Sequence, residues 1–171
     1  LARLAEAKGA VELLLAQAYA RRDYVALLAF RGQQSDLLLP PTRSLVQTKR
    51  RLAALPGGGG TPLAAGLQDA LSLSDSVRSR GMTPAIAVLT DGRANIALDG
   101  TANRAQAASD ARDFARLIRA RHVPAMVIDT GQRPSEALGG LARDMGAGYL
   151  PLPRADAKAL SNAVESTLCS A

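Results

Sequence analysis

The run AIAVLTDGRAN, residues 85–95, decides the architecture. From Ala85 to Leu89 it is apolar without a break, and it then passes straight into the polar turn Thr90-Asp91-Gly92. A short unbroken apolar run suits a strand covered on both faces, as in a parallel sheet, whereas a strand with one wet face alternates. Two other stretches read the same way: Tyr24 to Phe30 (YVALLAF), and Pro124 to Ile128, which ends at Asp129.

The intervals between these strands carry helical periodicity. Leu4, Val11, Leu14, Leu15 and Ala18 mark an opening amphipathic helix that ends near Arg21 and Arg22. Ser35 to Leu39 predicts a short strand stopped by Pro40 and Pro41. A helix over about Ser44 to Ala54 follows, with Ser44 as its N-cap. Gly57 to Gly60 break the chain, and Thr61 and Pro62 then suit the N-cap and first position of a helix whose apolar face is Leu63, Leu67, Ala70, Leu71 and Val77. Ala107, Ala111, Phe114 and Ile118 share the face of another helix. A helix around Ser135 to Asp144, a short strand at Tyr149 and Leu150, and a last helix from Ala155 to Leu168 complete the chain. Strands alternating with helices imply right-handed crossovers and a three-layer, Rossmann-like α/β fold: a mostly parallel sheet with helices on both faces. The Ser35 strand lies close enough to its predecessor to pair with it antiparallel, as an edge hairpin.

Composition sets the outer bounds. The chain has 171 residues, 47% hydrophobic and 21% charged, which suits one folded domain rather than a disordered segment. No apolar run approaches the roughly 18 residues that span a bilayer, so no membrane span is expected. The lone Cys169 cannot form an internal disulfide, which fits a cytoplasmic location. The chain opens at Leu1 inside a helix, so it reads as the C-terminal fragment of a longer subunit. The net charge of +6 raises the question of nucleic acid. However, the basic residues gather towards helix ends (Arg21 and Arg22; Lys49, Arg50 and Arg51; Arg116, Arg119 and Arg121), where the helix dipole favours them. Aromatic content is 3% with no Trp, leaving few platforms on which bases could stack. No nucleic-acid partner is expected; helix capping is the plain reading of the charge, and an acidic protein partner explains it at least as well as nucleic acid.

In open α/β sheets ligands bind outside the carboxyl ends of the strands. Three features fall on that edge: the Gly57–Thr61 loop, the Thr90-Asp91-Gly92 turn, and Asp129 with Thr130. GGGGTP lacks the Lys-Ser/Thr ending of a P-loop and follows a helix rather than a strand, which argues against a phosphate cradle. A hard divalent cation fits better, because Mg²⁺ takes oxygen ligands and Thr61 offers a hydroxyl and Asp91 a carboxylate. The same residues also suit plainer roles, Thr61 as a helix cap and Asp91 as a turn residue with Gly92. His122 stands alone in sequence, Cys169 has no activating neighbour, and Asp110 and Asp113 suit a solvated helix face with Arg112 and Arg116. Asp129 is placed to support the site from the neighbouring strand end, but a turn carboxylate is the better reading.

GGGGTPLAAGL (57–67) followed by AIAVLTDGRAN (85–95) resembles the second and third motifs of the metal-ion-dependent adhesion site in von Willebrand factor A domains. The resemblance implies one such domain over 1–171, a Mg²⁺ or Mn²⁺ ion on Thr61 and Asp91, and an Asp-x-Ser-x-Ser motif ending a first strand upstream of Leu1. LLLPPTRSLVQTKRRLAALPGGGGTPLAAGL (37–67), with LTDGRAN and ANRAQAASDAR (102–112), is similar to the C-terminal domain of magnesium chelatase D subunits. That likeness implies bacteriochlorophyll biosynthesis, in a complex that inserts Mg²⁺ into protoporphyrin IX with ATP hydrolysis. It further implies a non-catalytic scaffold domain in a hetero-oligomeric ring, gripping an AAA+ ATPase subunit and a porphyrin-binding large subunit. ATP would be used by the complex and not bound by this domain. The alternatives are an A-domain of another AAA+ chelatase, such as a cobalt chelatase, and a nucleotide-dependent α/β enzyme.

Overall fold

The computed structural model describes residues 2–55, 59–152, 162–163 and 165–166. The elements are α1 (Ala2–Ala20), β1 (Val25–Arg31), β2 (Gln34–Thr42), α2 (Leu45–Ala53), α3 (Leu63–Ser79), β3 (Ile86–Thr90), α4 (Arg104–Ala120), β4 (Ala125–Asp129), α5 (Glu136–Met145) and β5 (Gly148–Pro151). The expected last helix, Ala155 to Leu168, lies largely outside the described residues, of which 162–163 and 165–166 are helical.

β3, β4 and β5 form a parallel sheet in that order, with Val88 beside Val127 and Val127 beside Tyr149. The central strand, β4, is buried at every position. Successive side chains on a strand point to opposite faces. Ala125 and Val127 therefore join the larger core with Leu67, Ala115, Ile118 and Leu141 from α3, α4 and α5. Met126 and Ile128 face the other way, towards Ala10, Leu13 and Leu14 of α1. Burying each of the Val, Ile, Leu and Met side chains among them contributes about 1.5–3 kcal/mol, and an unbroken apolar strand is what two covered faces demand. Helices on both faces of a parallel sheet are as the sequence predicts. Among the described residues no helix is long and apolar enough to cross a membrane.

β1 and β2 form an antiparallel hairpin, Val25 opposite Thr42 and Arg31 opposite Gln34, with register shifts after Val25 and after Leu27. Pro40 and Pro41 do not stop β2, which runs on to Thr42. β2 pairs with β1 alone, so prolines there break no second ladder. The hairpin is not bonded to β3; the sheet comes as two pieces. Helix α3 joins them, packing on Phe30 of β1 and Val88 of β3 in one apolar cluster. Its contact with the hairpin depends on Gly66, where a Cβ would lie 2.6 Å from Cδ1 of the Phe30 ring.

Candidate functional site: a loop edge joined by Asn95

The C-terminal ends of β1 and β3 meet the start of α3 through backbone contacts. The amide of Gly32, in the hairpin turn, donates to the carbonyl of Gly60 at 3.1 Å. A side chain at position 60 would collide with that turn and with Ile96, at 2.6 Å from the Gly32 carbonyl oxygen and 2.7 Å from Ile96 Cγ1. Glycine therefore lets the loop pass close, and Thr61 follows directly.

Thr61 is clamped from the neighbouring loop. Its amide donates to Oδ1 of Asn95 at 2.8 Å, and the amide of Asn95 donates to the Thr61 carbonyl at 3.3 Å. The Gly-rich loop and the loop after β3 are thus held as one unit. Thr61 does not cap α3: Pro62 occupies the N-cap position with no side-chain bond, and the helix begins at Leu63. The reason is local, since Thr61 is one residue too early to reach the first free amides of the helix. Among the described residues its hydroxyl has no hydrogen-bond partner.

Asp91 leaves β3 at its carboxyl end and is partly exposed. Its Oδ1 accepts the amide of Arg93 at 3.1 Å, an Asx turn, and Oδ2 lies 3.6 Å from Arg93 Nε. The turn is closed by Gly92, whose φ of +80° suits glycine and whose amide donates to Thr90 Oγ1 at 3.2 Å. Asp91 therefore makes the turn, while Oδ2 faces an exposed arginine across a weak ion pair.

Asp129 sits behind this edge and is fully buried. Its Oδ1 accepts the amide of Gly131 at 2.8 Å, and Oδ2 accepts the amide of Ser135 at 2.9 Å and the Tyr149 hydroxyl at 2.5 Å. A buried carboxylate is tolerable only when so bonded. Burial, and then the bond to Asp129, hold the Tyr149 hydroxyl above its usual pKa of 10.0. Ser135 in turn caps α5, its Oγ accepting the amide of Leu138 at 3.3 Å. Leu138 packs against Gly92, and the amide of Thr130 donates to the Thr90 carbonyl at 3.0 Å. The buried network so fixes the third loop, 130–135, beside the turn that carries Asp91. Asp129 is thus the expected turn carboxylate, but one turned inward to the protein.

Other candidates fall elsewhere. His122 is exposed beyond the C-terminus of α4, with φ of 54°, and its carbonyl accepts from Arg78 at 3.1 Å. Asp110 serves no ion pair with its helix neighbours, contrary to expectation; it accepts the amide of Leu98 at 2.8 Å and Gln106 Nε2 at 2.7 Å, holding the loop before α4. Arg112 instead approaches Asp144 of α5 at 3.9 Å. Cys169 lies outside the described residues, as do Gly57 and Gly58. Asn95, Ser135 and Tyr149 are the positioning residues that sequence reasoning missed. The partners of Asn95 and Tyr149 are 34 and 20 residues away, although Asn95 stands inside the motif quoted above; Ser135 reaches Asp129 across six residues of loop.

Thr61 and Asp91 are hard oxygen donors, the kind that Mg²⁺ and Mn²⁺ select. Among the described residues no three of His, Cys, Asp and Glu converge on one point.

The Gly-rich loop entering a helix, the Asp-bearing turn after a buried parallel strand, and the covered sheet coincide with a known domain. Residues 1–94 match the von Willebrand factor type A domain. The chain belongs to that family. It is 64% identical over 168 residues to the magnesium-chelatase 60 kDa subunit of Cereibacter sphaeroides, covering 98% of this chain and 30% of that subunit. The chain thus spans under a third of that relative's length. Its fold is similar to the SpRpn10 VWA domain, with a TM-score of 0.67 at 15% identity over 95% of this chain and 82% of that one. It is also similar to the manganese-loaded TRAP protein of Plasmodium vivax, with a TM-score of 0.61 at 18% identity over 91% of this chain and 62% of that one.

Proposed function

We propose that this von Willebrand factor A domain is the protein-gripping module of a magnesium chelatase subunit, and that it performs no chemistry of its own. The observation that carries this reading is the 64% identity to a magnesium-chelatase subunit along 98% of the chain. The complex served would insert Mg²⁺ into protoporphyrin IX with ATP hydrolysis, in the cytoplasm, for bacteriochlorophyll biosynthesis. In it the domain would hold an AAA+ ATPase subunit and a porphyrin-binding large subunit in a hetero-oligomeric ring.

The grip would run through a divalent ion, Mg²⁺ or Mn²⁺, on Thr61 and Asp91. Three features support it: a Thr61 hydroxyl not used for capping, an Asp91 carboxylate at the strand end, and Asn95 holding the two loops together. Bound there, the ion would present a vacant coordination position that a partner's Asp or Glu fills, since carboxylates are strong ligands for hard cations. The resident ion is distinct from the Mg²⁺ that is inserted, which is substrate. Further ligands would come from an Asp-x-Ser-x-Ser motif ending a strand that lies between β1 and β3. The division of the sheet at that point, with α3 packed across both pieces, supports such a strand.

Asp91→Ala in the full-length subunit tests the reading. Binding to the AAA+ subunit in Mg²⁺ should fall at least about tenfold while the unfolding midpoint stays near wild type, the expected size for losing a ligand carboxylate at an interface. Unchanged binding would falsify the metal bridge.

A further inference from the structure

At the end of the domain away from Thr61 and Asp91, four chain segments converge. The C-terminus of α1 and the start of β1 meet the end of β2 and the start of α2, for Val25 pairs with Thr42. They surround a shallow hollow lined by Leu15, Tyr19, Asp23, Arg43 and Leu45. Along β1, at about 3.3 Å per residue, this end stands some 20 Å from the hairpin turn at Gly32, which abuts the loop edge.

Its surface is unlike the rest of the molecule. Among the described residues six large hydrophobic side chains are strongly exposed, and three of them are here: Tyr19 at 60%, Tyr24 at 51% and Val46 at 67%. The Arg43 guanidinium lies over the Tyr24 ring, 4.4 Å from its centroid. Water wets such groups without need, whereas aromatic rings and arginine are the residues that protein interfaces concentrate and draw most affinity from.

The charge left unpaired on these segments is basic. Asp23 is the single carboxylate lining the hollow, and Arg21 already neutralises it at 2.9 Å. Arg22, Arg43, Lys49 and Arg50 are exposed and enter no ion pair among the described residues. Lys49 and Arg50 follow Val46 by three and four residues on α2, and so share its face. A basic rim around exposed tyrosines selects for carboxylates flanking an apolar side chain.

We propose that this end is a second docking surface, which takes an acidic segment of a partner protein. An apolar side chain of that segment packs on the exposed Tyr19, Tyr24 and Val46, and its carboxylates meet Arg43, Lys49 and Arg22. The surface needs no metal and lies across the domain from the loop edge, so one domain can hold two partners at once. This site stands independently of the metal bridge.

The test uses the full-length subunit in its own host, with photoreactive benzoylphenylalanine in place of Val46 and, as a control, in place of the exposed Leu117 on α4. After irradiation the cross-linked peptide is identified by mass spectrometry. The expected product is one segment of another protein, rich in Asp and Glu around an apolar residue. Its yield should fall about tenfold or more with Tyr24→Ala or Arg43→Glu, consistent with loss of an interface anchor. It should fall comparably when salt is raised to about 0.5 M, where surface charges are screened, and it should survive EDTA. Lys49→Glu, on an exposed helix face, gives the same loss should either of the other variants fold poorly. Four outcomes overturn the proposal: a yield no higher than at Leu117; cross-links to nucleic acid, lipid, a second copy or another part of the same chain; a neutral or basic segment; or a yield indifferent to the charge reversals. A yield lost in EDTA would assign the contact to the metal edge and overturn it too.

Discussion

Tyr149→Phe removes one oxygen atom and keeps the ring, so it isolates the buried network behind the loop edge. The hydroxyl donates to Asp129 Oδ2 at 2.5 Å and accepts the amide of Ser135 at 2.9 Å. The Ser135 amide keeps Asp129 as acceptor at 2.9 Å, so the loss falls mainly on the bond to the buried carboxylate. A hydrogen bond to a charged group contributes about 1.5–3 kcal/mol. At about 2–4 °C per kcal/mol for a domain of this size, Tm should drop by about 3–12 °C. The pH dependence has a definite sign. Burial and Asp129 raise the pKa of Tyr149, so its neutral form is favoured in the folded protein. That contribution is complete below the unfolded value of 10.0 and is lost as pH climbs through the higher folded value. Calorimetry of both proteins should therefore show a constant gap between about pH 6 and 9 that narrows above about 10. A Tm within about 1 °C of wild type at pH 7 would refute the network's role, because losing even a neutral hydrogen bond costs more. A gap that widens in alkali would refute the assignment of the phenol as donor.

Three further substitutions separate the roles of the loops. Thr61→Val should leave the free energy of unfolding from urea titration within about 0.5 kcal/mol of wild type, since Thr61 caps nothing; a loss of about 1 kcal/mol would restore it as a cap. Asn95→Ala releases Thr61 from the turn of Asp91 and should weaken Mn²⁺ binding about 10- to 100-fold, as loss of an outer-shell support does. Titration followed by the electron-paramagnetic signal of free Mn²⁺ measures this, and an unchanged affinity would contradict the clamp. Gly66→Ala drives a methyl to 2.6 Å from the Phe30 ring, so chemical denaturation should show a loss of about 1–3 kcal/mol from overpacking. A neutral result there would mean that α3 and the hairpin can part without cost.

Much of the fold was legible because its signals are local. Pro124 to Ile128 lacks alternation, and β4 is buried at every position, with α1 on one face and α3, α4 and α5 on the other. Ala85 to Leu89 reads the same way, but there the structure departs from the reading, for Ala85 and Ala87 are exposed and β3 alternates. Ser44 and Ser135 both lie at helix starts, and each accepts the amide three residues on. Pro40 and Pro41 misled for the opposite reason. A proline stops a strand only where its amide is needed by a second neighbour, and edge position belongs to the sheet rather than to the strand.

The site divides along the same line. Thr61 and Asp91 announce themselves by residue type beside glycine, but what joins them is Asn95, whose bond to Thr61 spans 34 residues. Tyr149 and Asp129 are 20 apart, and nothing in either neighbourhood marks the pair. Spacing rules report which side chains share an element, so a contact between loops from different crossovers escapes them. Yet the topology narrows the search. Parallel strands deliver their carboxyl ends to one edge, so any polar residue within a few positions of Thr90, Asp129 or Pro151 is a candidate member of the same network. By that rule Asn95, Ser135 and Tyr149 qualify and His122, which precedes β4, does not. The two ends of the domain differ for the same reason. The edge gathers strand ends and oxygen donors, while the opposite end gathers the C-terminus of α1 with Arg21 and Arg22, cations that the helix dipole favours there, and Arg43 ahead of α2, held over the Tyr24 ring. Strand direction thus sets two hard oxygen donors, Thr61 and Asp91, at one end of the molecule and exposed tyrosines with arginines at the other.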